Sequence, residues 1–497
     1  MRTFFTSSSA LVLAFALLAS AFPAAAASAN RTAFEETVTT DDLAQAYAEA
    51  RAGGKPLRIL IVPGHEPAQG GTMFAGYYER ELVVDIAARL KEELGSDTAF
   101  EVLVARGTQG WNDDLARYFA REEDDIEEFV EDHKRDMRRL ERRGRIADPE
   151  NQAPHNEAAS DVALRLYGIT KWANEHEVDL MVHLHLNDET GHPEDERGAH
   201  SGVAIYVPDE IYGNAAASRA IAEPVFARLQ ATNATSTFGF EQEGVLEDRD
   251  LIAIGANNTS EVPSLLIEYG YIYEERITDG AREALFADFA YQTALGIKDF
   301  FGSPGRPQFA TKALPRAFTA DLLATTTASS TPEDIYALQA ALTTLGFYPG
   351  TEASLNVCPV SGILNECTTE AVKAFQKAKG FEQTGTLGPL TRGALNASLG
   401  IAAAPAPAAP IAYCALPETL APEATGEGVE NLQRLLAQDP AVYPEGLVTG
   451  YYGPATDRAV KRFQEKHKIV AAGAPGYGLV GPMTRATLSA SCSTVAS

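Results

Sequence analysis

"LRILIVPGHEP", residues 57–67, decides how the first half of this chain reads. Ile59, Leu60, Ile61 and Val62 form an unbroken apolar run after Leu57. Such a run, without polar alternation, reads as a strand buried on both faces, which is the habit of parallel sheets. The strand runs directly into Pro63-Gly64-His65, a turn that presents an imidazole at its C-terminal end. In open α/β sheets that end is where ligands bind. A lone histidine at a loop start is ordinarily a satisfied polar residue, so its significance rests on what else converges there.

Working outward, apolar strand-like runs alternate with helical patterns from Leu57 to about Phe301. The expected fold is α/β, a mostly parallel or mixed sheet with flanking helices. The expected strands are 57–62, 99–105, 178–186, 202–207 and 263–268. A helical lead-in occupies residues 30–55. Between the second and third strands lies "REEDDIEEFVEDHKRDMRRLERRGR" (121–145), acidic first and basic afterwards. That order suits the helix dipole and i,i+4 pairing, so the stretch reads as a long surface helix followed by a polar loop. It belongs to an insert at about 107–165, and one reading of it is a lid over the site, opened by a protein activator.

The chain has 497 residues, too many for one core, and a net charge of −27. That charge argues against nucleic acid as a partner and against adhesion to anionic lipid. Residues 1–29 read as an export signal, with Arg2, a short apolar core at 10–22 and small residues near Ala26 and Ala29. The apolar core is short for a bilayer span, so no stable membrane insertion is expected and the location is the periplasm, cell wall or exterior. All four cysteines, Cys358, Cys367, Cys414 and Cys492, lie near the C-terminus. No thiol therefore serves as nucleophile or metal ligand earlier in the chain.

Two segments near the C-terminus repeat each other. Leu-Gln, Ala-Val-Lys-x-Phe-Gln and Gly-Pro-x-Thr-Arg elements recur in the same order, with Val372 and Phe375 matched by Val460 and Phe463. Each copy reads as a small all-α domain of three helices, at 332–398 and 414–493. Pro-, Ser- and Ala-rich stretches at 303–331 and 399–413 read as linkers. Small cores benefit from a cross-link of about 2–4 kcal/mol, which favours the pairings Cys358–Cys367 and Cys414–Cys492.

His65 has company. Glu79 opens the amphipathic stretch 76–94, and "MVHLHLND" puts His183 and His185 on one face of a strand. "VPSLLIEYGY" (262–271) is a buried strand reaching Glu268, a carboxylate that is costly to bury unless a cation is near. Two imidazoles and a carboxylate are a common catalytic zinc set, and a further carboxylate beside the bound water serves as proton acceptor and donor.

These motifs in order resemble the zinc-dependent N-acetylmuramoyl-L-alanine amidases of the amidase-3 type, over residues 56–302. The resemblance implies one zinc ion held by His65, Glu79 and His185, with Glu268 as the catalytic carboxylate and His183 as a second-shell candidate. There are departures: Val62, Glu66-Pro67 and His183 stand where the family has Asp, Gly-Gly and Ser. The C-terminal copies resemble three-helix peptidoglycan-binding repeats, which makes peptidoglycan the implied partner. The Gln and Thr residues of these repeats read as scaffold, and deleting 331–497 is expected to weaken wall binding while sparing turnover of a soluble fragment. Two rivals remain, a zinc endopeptidase on peptidoglycan peptides and a non-catalytic wall-binding protein. Ser-x-x-Lys and His-Glu-x-x-His motifs are absent.

Overall fold

A computed structural model describes residues 33–146, 158–189, 191–303, 330–350, 353–381, 383–401 and 419–493, with 311–314, 318 and 416 between them. The expected signal (1–29), most of both linkers, most of the polar loop after the charged helix and Cys414, with the pairing expected of it, lie outside the described residues. Among those described, no helix is long and apolar enough to cross a membrane.

The first half opens with α1 (Thr40–Arg51), whose Thr39 and Asp42 form a reciprocal capping box. Strand β1 (Leu57–Pro63) follows, then a hairpin of β2 (Met73–Phe74) and β3 (Tyr77–Tyr78), α2 (Glu79–Gly95) and β4 (Phe100–Val104). Helices α3 (Asp113–Arg121), α4 (Glu123–Arg142) and α5 (Ser160–Glu175) lead to β5 (Leu180–Asn187), β6 (Ala204–Pro208), α6 (Ala215–Leu229) and β7 (Val245–Asp248). Strand β8 (Ser264–Tyr271), a short α7 (Glu275–Thr278) and α8 (Arg282–Phe300) complete this half.

Six strands form one sheet in the order β4-β1-β5-β8-β6-β7. All neighbours are parallel except β6 and β8, which run antiparallel. The sheet is therefore mixed, and its central strands β1, β5 and β8 are buried almost throughout, which is why they carry the longest apolar runs. Helices α2, α6 and α8 bury Ile86, Leu90, Ile221, Val225, Phe289 and Ile297 against one face. On the opposite face α5 covers Leu60, Val62 and Met181 with Ile169 and Trp172.

Two expectations need correcting. The strand expected to end at Glu268 continues to Tyr271, so Glu268 sits within β8 directly opposite His185. The stretch 121–145 holds the long helix expected of it, α4, which starts after a backbone break at Glu122. Its reading as a lid is what needs correcting: α4 buries Ile126 and Val130 against Tyr167 of α5, and none of its residues lines the main cavity. The lid reading, and the activator it called for, therefore gains no support from this helix.

The repeats fold as α9 (Pro332–Thr344), α10 (Glu366–Ala378) and α11 (Pro389–Ser398), then α12 (Glu427–Leu436), α13 (Pro454–Lys466) and α14 (Pro482–Ser493). A disulfide joins Cys358 and Cys367. Val372, Phe375, Val460 and Phe463 are all buried. Buried glutamines tie each helix to the loop that follows it and to the next helix. Gln339 accepts from the Ser361 and Gly362 N–H groups and donates to Thr368, while Gln433 makes the same bonds to Thr449, Gly450 and Thr456. Gln376 and Gln464 repeat the pattern one helix later. The amide of glutamine satisfies donors and acceptors at once, which suits small cores that cannot leave loop backbone unpaired.

The two copies differ in how they sit. The second has a core of its own, around Val429, Leu432, Val460 and Leu488. The first shares one continuous core with the α/β half, in which Tyr336 and Leu338 of α9 join Phe286, Phe289 and Ile277. At that junction Asp288 of α8 is buried and accepts from Tyr336 Oη at 2.9 Å, Thr232 Oγ1 at 3.1 Å and the Lys312 N–H at 3.0 Å.

Candidate metal centre

The parallel register carries β1 and β5 side by side, with Val62 opposite His183 and Pro63 opposite Leu184. The chain then turns at Gly64, and His65 takes a left-handed conformation, φ 66°. A non-glycine residue there costs of order 1 kcal/mol or more, and such positions concentrate at functional sites. Gly64 is required by close approach, since a Cβ on it would lie 2.3 Å from the His185 ring. The glycine pair missing directly after His65 has a spatial counterpart in Gly70-Gly71. A Cβ on Gly71, whose φ is +78°, would lie 2.9 Å from the His65 ring.

Glu79 is the first residue of α2, held beneath these rings by the β2–β3 hairpin. Its side chain is 3% exposed. One oxygen accepts from the Leu186 N–H at 3.1 Å and lies 3.0 Å from His185 Nδ1. The other accepts from the Thr72 N–H at 3.0 Å and lies 2.8 Å from His65 Nε2, which nevertheless makes no hydrogen bond of acceptable angle. Burial pushes the Glu79 carboxyl up, but the His65 charge and the His185 hydrogen bond outweigh it and hold the group well below the usual carboxylate range. Among the described residues, His65, Glu79 and His185 are the group of three whose donor atoms all lie within 4.8 Å of one another.

This donor set fits a divalent transition metal. Two imidazole nitrogens and a carboxylate oxygen match the ligand chemistry of catalytic zinc, and the carboxylate is ionised as a ligand must be. The buried His65 Nε2 without a hydrogen bond is the orphan that a cation would satisfy.

The triad forms one side of a cavity of about 1000 Å³. Glu268 and His183 line the same space. Glu268 is buried, its Oε2 has no hydrogen-bond partner, and burial followed by the Glu79 and Glu241 charges raises it well above the usual carboxylate range. His183 is buried too; desolvation, with a further push from His185, brings it down to about 3, so it is neutral near pH 7. Its Nε2 also has no hydrogen-bond partner. The opposite wall is apolar, built from Trp111, Val162, Leu166 and Ile169 with Leu251 and Ile252. Arg165 closes the rim by pairing with Glu66 at 2.6 Å and Asp161 at 2.7 Å.

All five residues singled out in the sequence thus border one cavity. The sequence reading missed three others. Glu241, on the short 3₁₀ turn Gly239–Glu243, is buried beside Glu268 and accepts from Tyr206 Oη, Asn187 Nδ2, Ser236 Oγ and Tyr271 Oη. Nothing in "FGFEQEG" marks it. Arg165 lies on an ordinary-looking amphipathic helix. Arg106 had a legible signal, an arginine directly after an apolar strand-like run, "FEVLVAR".

Comparison with known proteins agrees in kind. The N-acetylmuramoyl-L-alanine amidase family model, amidase-3, matches residues 154–299, which include His183, His185 and Glu268 but not His65 or Glu79. The peptidoglycan binding domain model matches 331–395 and 425–487. The curated N-acetylmuramoyl-L-alanine amidase CwlL of Bacillus licheniformis is 34% identical over 163 residues, 31% of this chain and 42% of that protein. The chain thus spans less than half the length of this relative. Two solved structures are similar at lower identity. An N-acetylmuramoyl-L-alanine amidase of Clostridium difficile 630 is 18% identical, covering 50% of this chain and 99% of its own, with a TM-score of 0.33. The Ami1 amidase of Mycobacterium smegmatis is 16% identical, covering 50% and 97%, with a TM-score of 0.33.

Proposed function

From a chain that carries an amidase-3 domain followed by two peptidoglycan-binding domains, we propose a zinc-dependent cell-wall hydrolase that cleaves the amide between N-acetylmuramic acid and L-alanine. The observation that carries this reading is the convergence of His65, Glu79 and His185 within 4.8 Å on a cavity that Glu268 also lines. In this reading those three residues are the zinc ligands and Glu268 is the catalytic carboxylate. Zinc, when bound, supplies Lewis acidity to the scissile carbonyl and lowers the pKa of water towards about 7.

The chain's own groups then divide the work. Glu268, buried and raised in pKa, accepts the proton of the attacking water and returns it to the departing alanine nitrogen. A carboxyl group raised above the ordinary range serves both steps, whereas an ordinary carboxylate is a poor acid at pH 7. His183, neutral and with Nε2 unpartnered, offers a hydrogen bond to substrate. Glu79 stays ionised between the imidazoles and fixes the ring of His185 through Nδ1. The repeats hold the enzyme on its polymer, which implies export to the periplasm, cell wall or exterior.

The test is mass spectrometry of purified sacculi digested with the zinc-loaded protein, beside a Glu268→Ala control. Free L-alanine amino termini with intact lactyl groups, absent from the control, are the expected products. New amines within the stem peptide or cross-bridge would replace the amidase by an endopeptidase, and no products with a zinc-loaded protein would leave a wall-binding protein.

A further inference from the structure

We propose that Arg106 is a positioning residue that locks the turn carrying His65 to the helix end carrying Glu79, and so sets the metal affinity of the triad. The inference rests on the metal reading above. Arg106 lies two residues beyond β4 and is 1% exposed. A buried guanidinium ordinarily demands a carboxylate partner. Here its hydrogen bonds go to backbone carbonyls. Nε donates to Pro63 at 3.1 Å, Nη1 to Gly107 at 3.1 Å, and Nη2 to both Gly64 and Arg80, the latter at 3.0 Å.

The choice of carbonyls is the point. Pro63 and Gly64 are the two residues before His65, whose left-handed backbone is the strained element of the site. Arg80 is the residue after Glu79, in the first turn of α2. One rigid planar fork therefore clamps both ligand-bearing segments. The positive charge also faces Glu79 and Glu66 across this junction. A lysine ammonium is a single point with a flexible stem and cannot bridge the same set of carbonyls.

The test compares zinc affinity of the full chain, by competition with a chromophoric chelator, for wild type, Arg106→Met, Arg106→Lys and Tyr336→Phe. Tyr336→Phe removes a buried hydrogen bond at the far junction and controls for general loss of stability. Support residues around metal ligands typically contribute 10–100-fold in affinity. Arg106→Met should weaken zinc binding by about tenfold or more, Arg106→Lys should recover only part of it, and Tyr336→Phe should bind as wild type. If the Met variant does not fold, the Lys variant decides. Wild-type affinity in a folded Arg106 variant overturns the inference, as does an equal loss in Tyr336→Phe. A wild-type chain that binds no zinc overturns the metal reading itself, a separate result.

Discussion

Tyr336→Phe tests whether the first repeat and the α/β half unfold as one body. Tyr336 is fully buried in α9, and its hydroxyl donates to Asp288 of α8 at 2.9 Å. The substitution keeps the ring and deletes the hydroxyl's bond to Asp288, whose other partners include the Thr232 hydroxyl, the Lys312 amide and the Gln292 side chain. A hydrogen bond to a charged group contributes about 1.5–3 kcal/mol, so the expected loss is about 2 kcal/mol. A cooperative unit of about 300 residues has an unfolding entropy of about 0.6 kcal/mol/K, so Tm should fall by about 3 °C. The two tryptophans, Trp111 and Trp172, both lie in the α/β half, so their fluorescence reports that half alone. The expected result is a Trp-detected midpoint that falls by about 3 °C on substitution of a residue in the repeat. Tyr452→Phe, in the separate second core, should leave it unmoved. A Trp-detected midpoint unchanged by Tyr336→Phe, with a second transition shifted instead, would refute the shared core.

Three further outcomes are expected. Glu268→Gln should lower kcat on sacculi by about 10²–10⁴-fold while zinc content, measured by atomic emission, stays at the wild-type level. Gly64→Ala should cost about 1–3 kcal/mol in thermal unfolding and weaken zinc binding, because its Cβ meets the His185 ring at 2.3 Å. Asp288 is raised above its ordinary 3.8, chiefly by burial, so between pH 4 and its folded pKa the folded state binds more protons than the unfolded. Its contribution is therefore fully present below about pH 4 and is lost as pH rises through the folded pKa; Asp288→Asn should remove that decline from a plot of Tm against pH.

The central strands were legible because burial on both faces writes itself as uninterrupted apolar sequence, as in Ile59–Val62 and Leu265–Ile267. The pleat then told which histidines share a face, and His183 and His185 do line one cavity. What stayed hidden has physical reasons. Strand β7 and the β2–β3 hairpin are too short to carry a period. Glu268 was expected at a strand end because a buried carboxylate looks like a terminus, yet β8 continues past it through residues that pack on both sides. Arg106 and Glu241 act through backbone carbonyls and neutral hydroxyls, partners that only the fold brings near. The junction at Asp288 joins residues 48 apart in sequence, with nothing local to announce it.

That junction changes how the repeats work with the cleft. Two flexibly tethered modules would raise the local concentration of enzyme at the wall without fixing where on the polymer the cleft falls. A first repeat that shares its core with the α/β half has no such freedom, because Phe286, Phe289, Tyr336 and Leu338 pack in one cluster. Deleting 331–497 would strip apolar side chains of α8 of their cover, so this truncation should destabilise the α/β half rather than leave it untouched. Deleting 414–497 removes only the unit with its own core. The first repeat belongs to the same body as the cleft, its loop residue Asn356 bonded to Ser201 at 3.2 Å. Ser201 in turn bonds the Thr237 hydroxyl, one residue from Phe238 on the cavity wall. Under the proposed function, wall polymer bound by that repeat would sit at a fixed offset from His65, Glu79 and His185, and the distance between binding and cleavage would be set by the fold rather than by a linker.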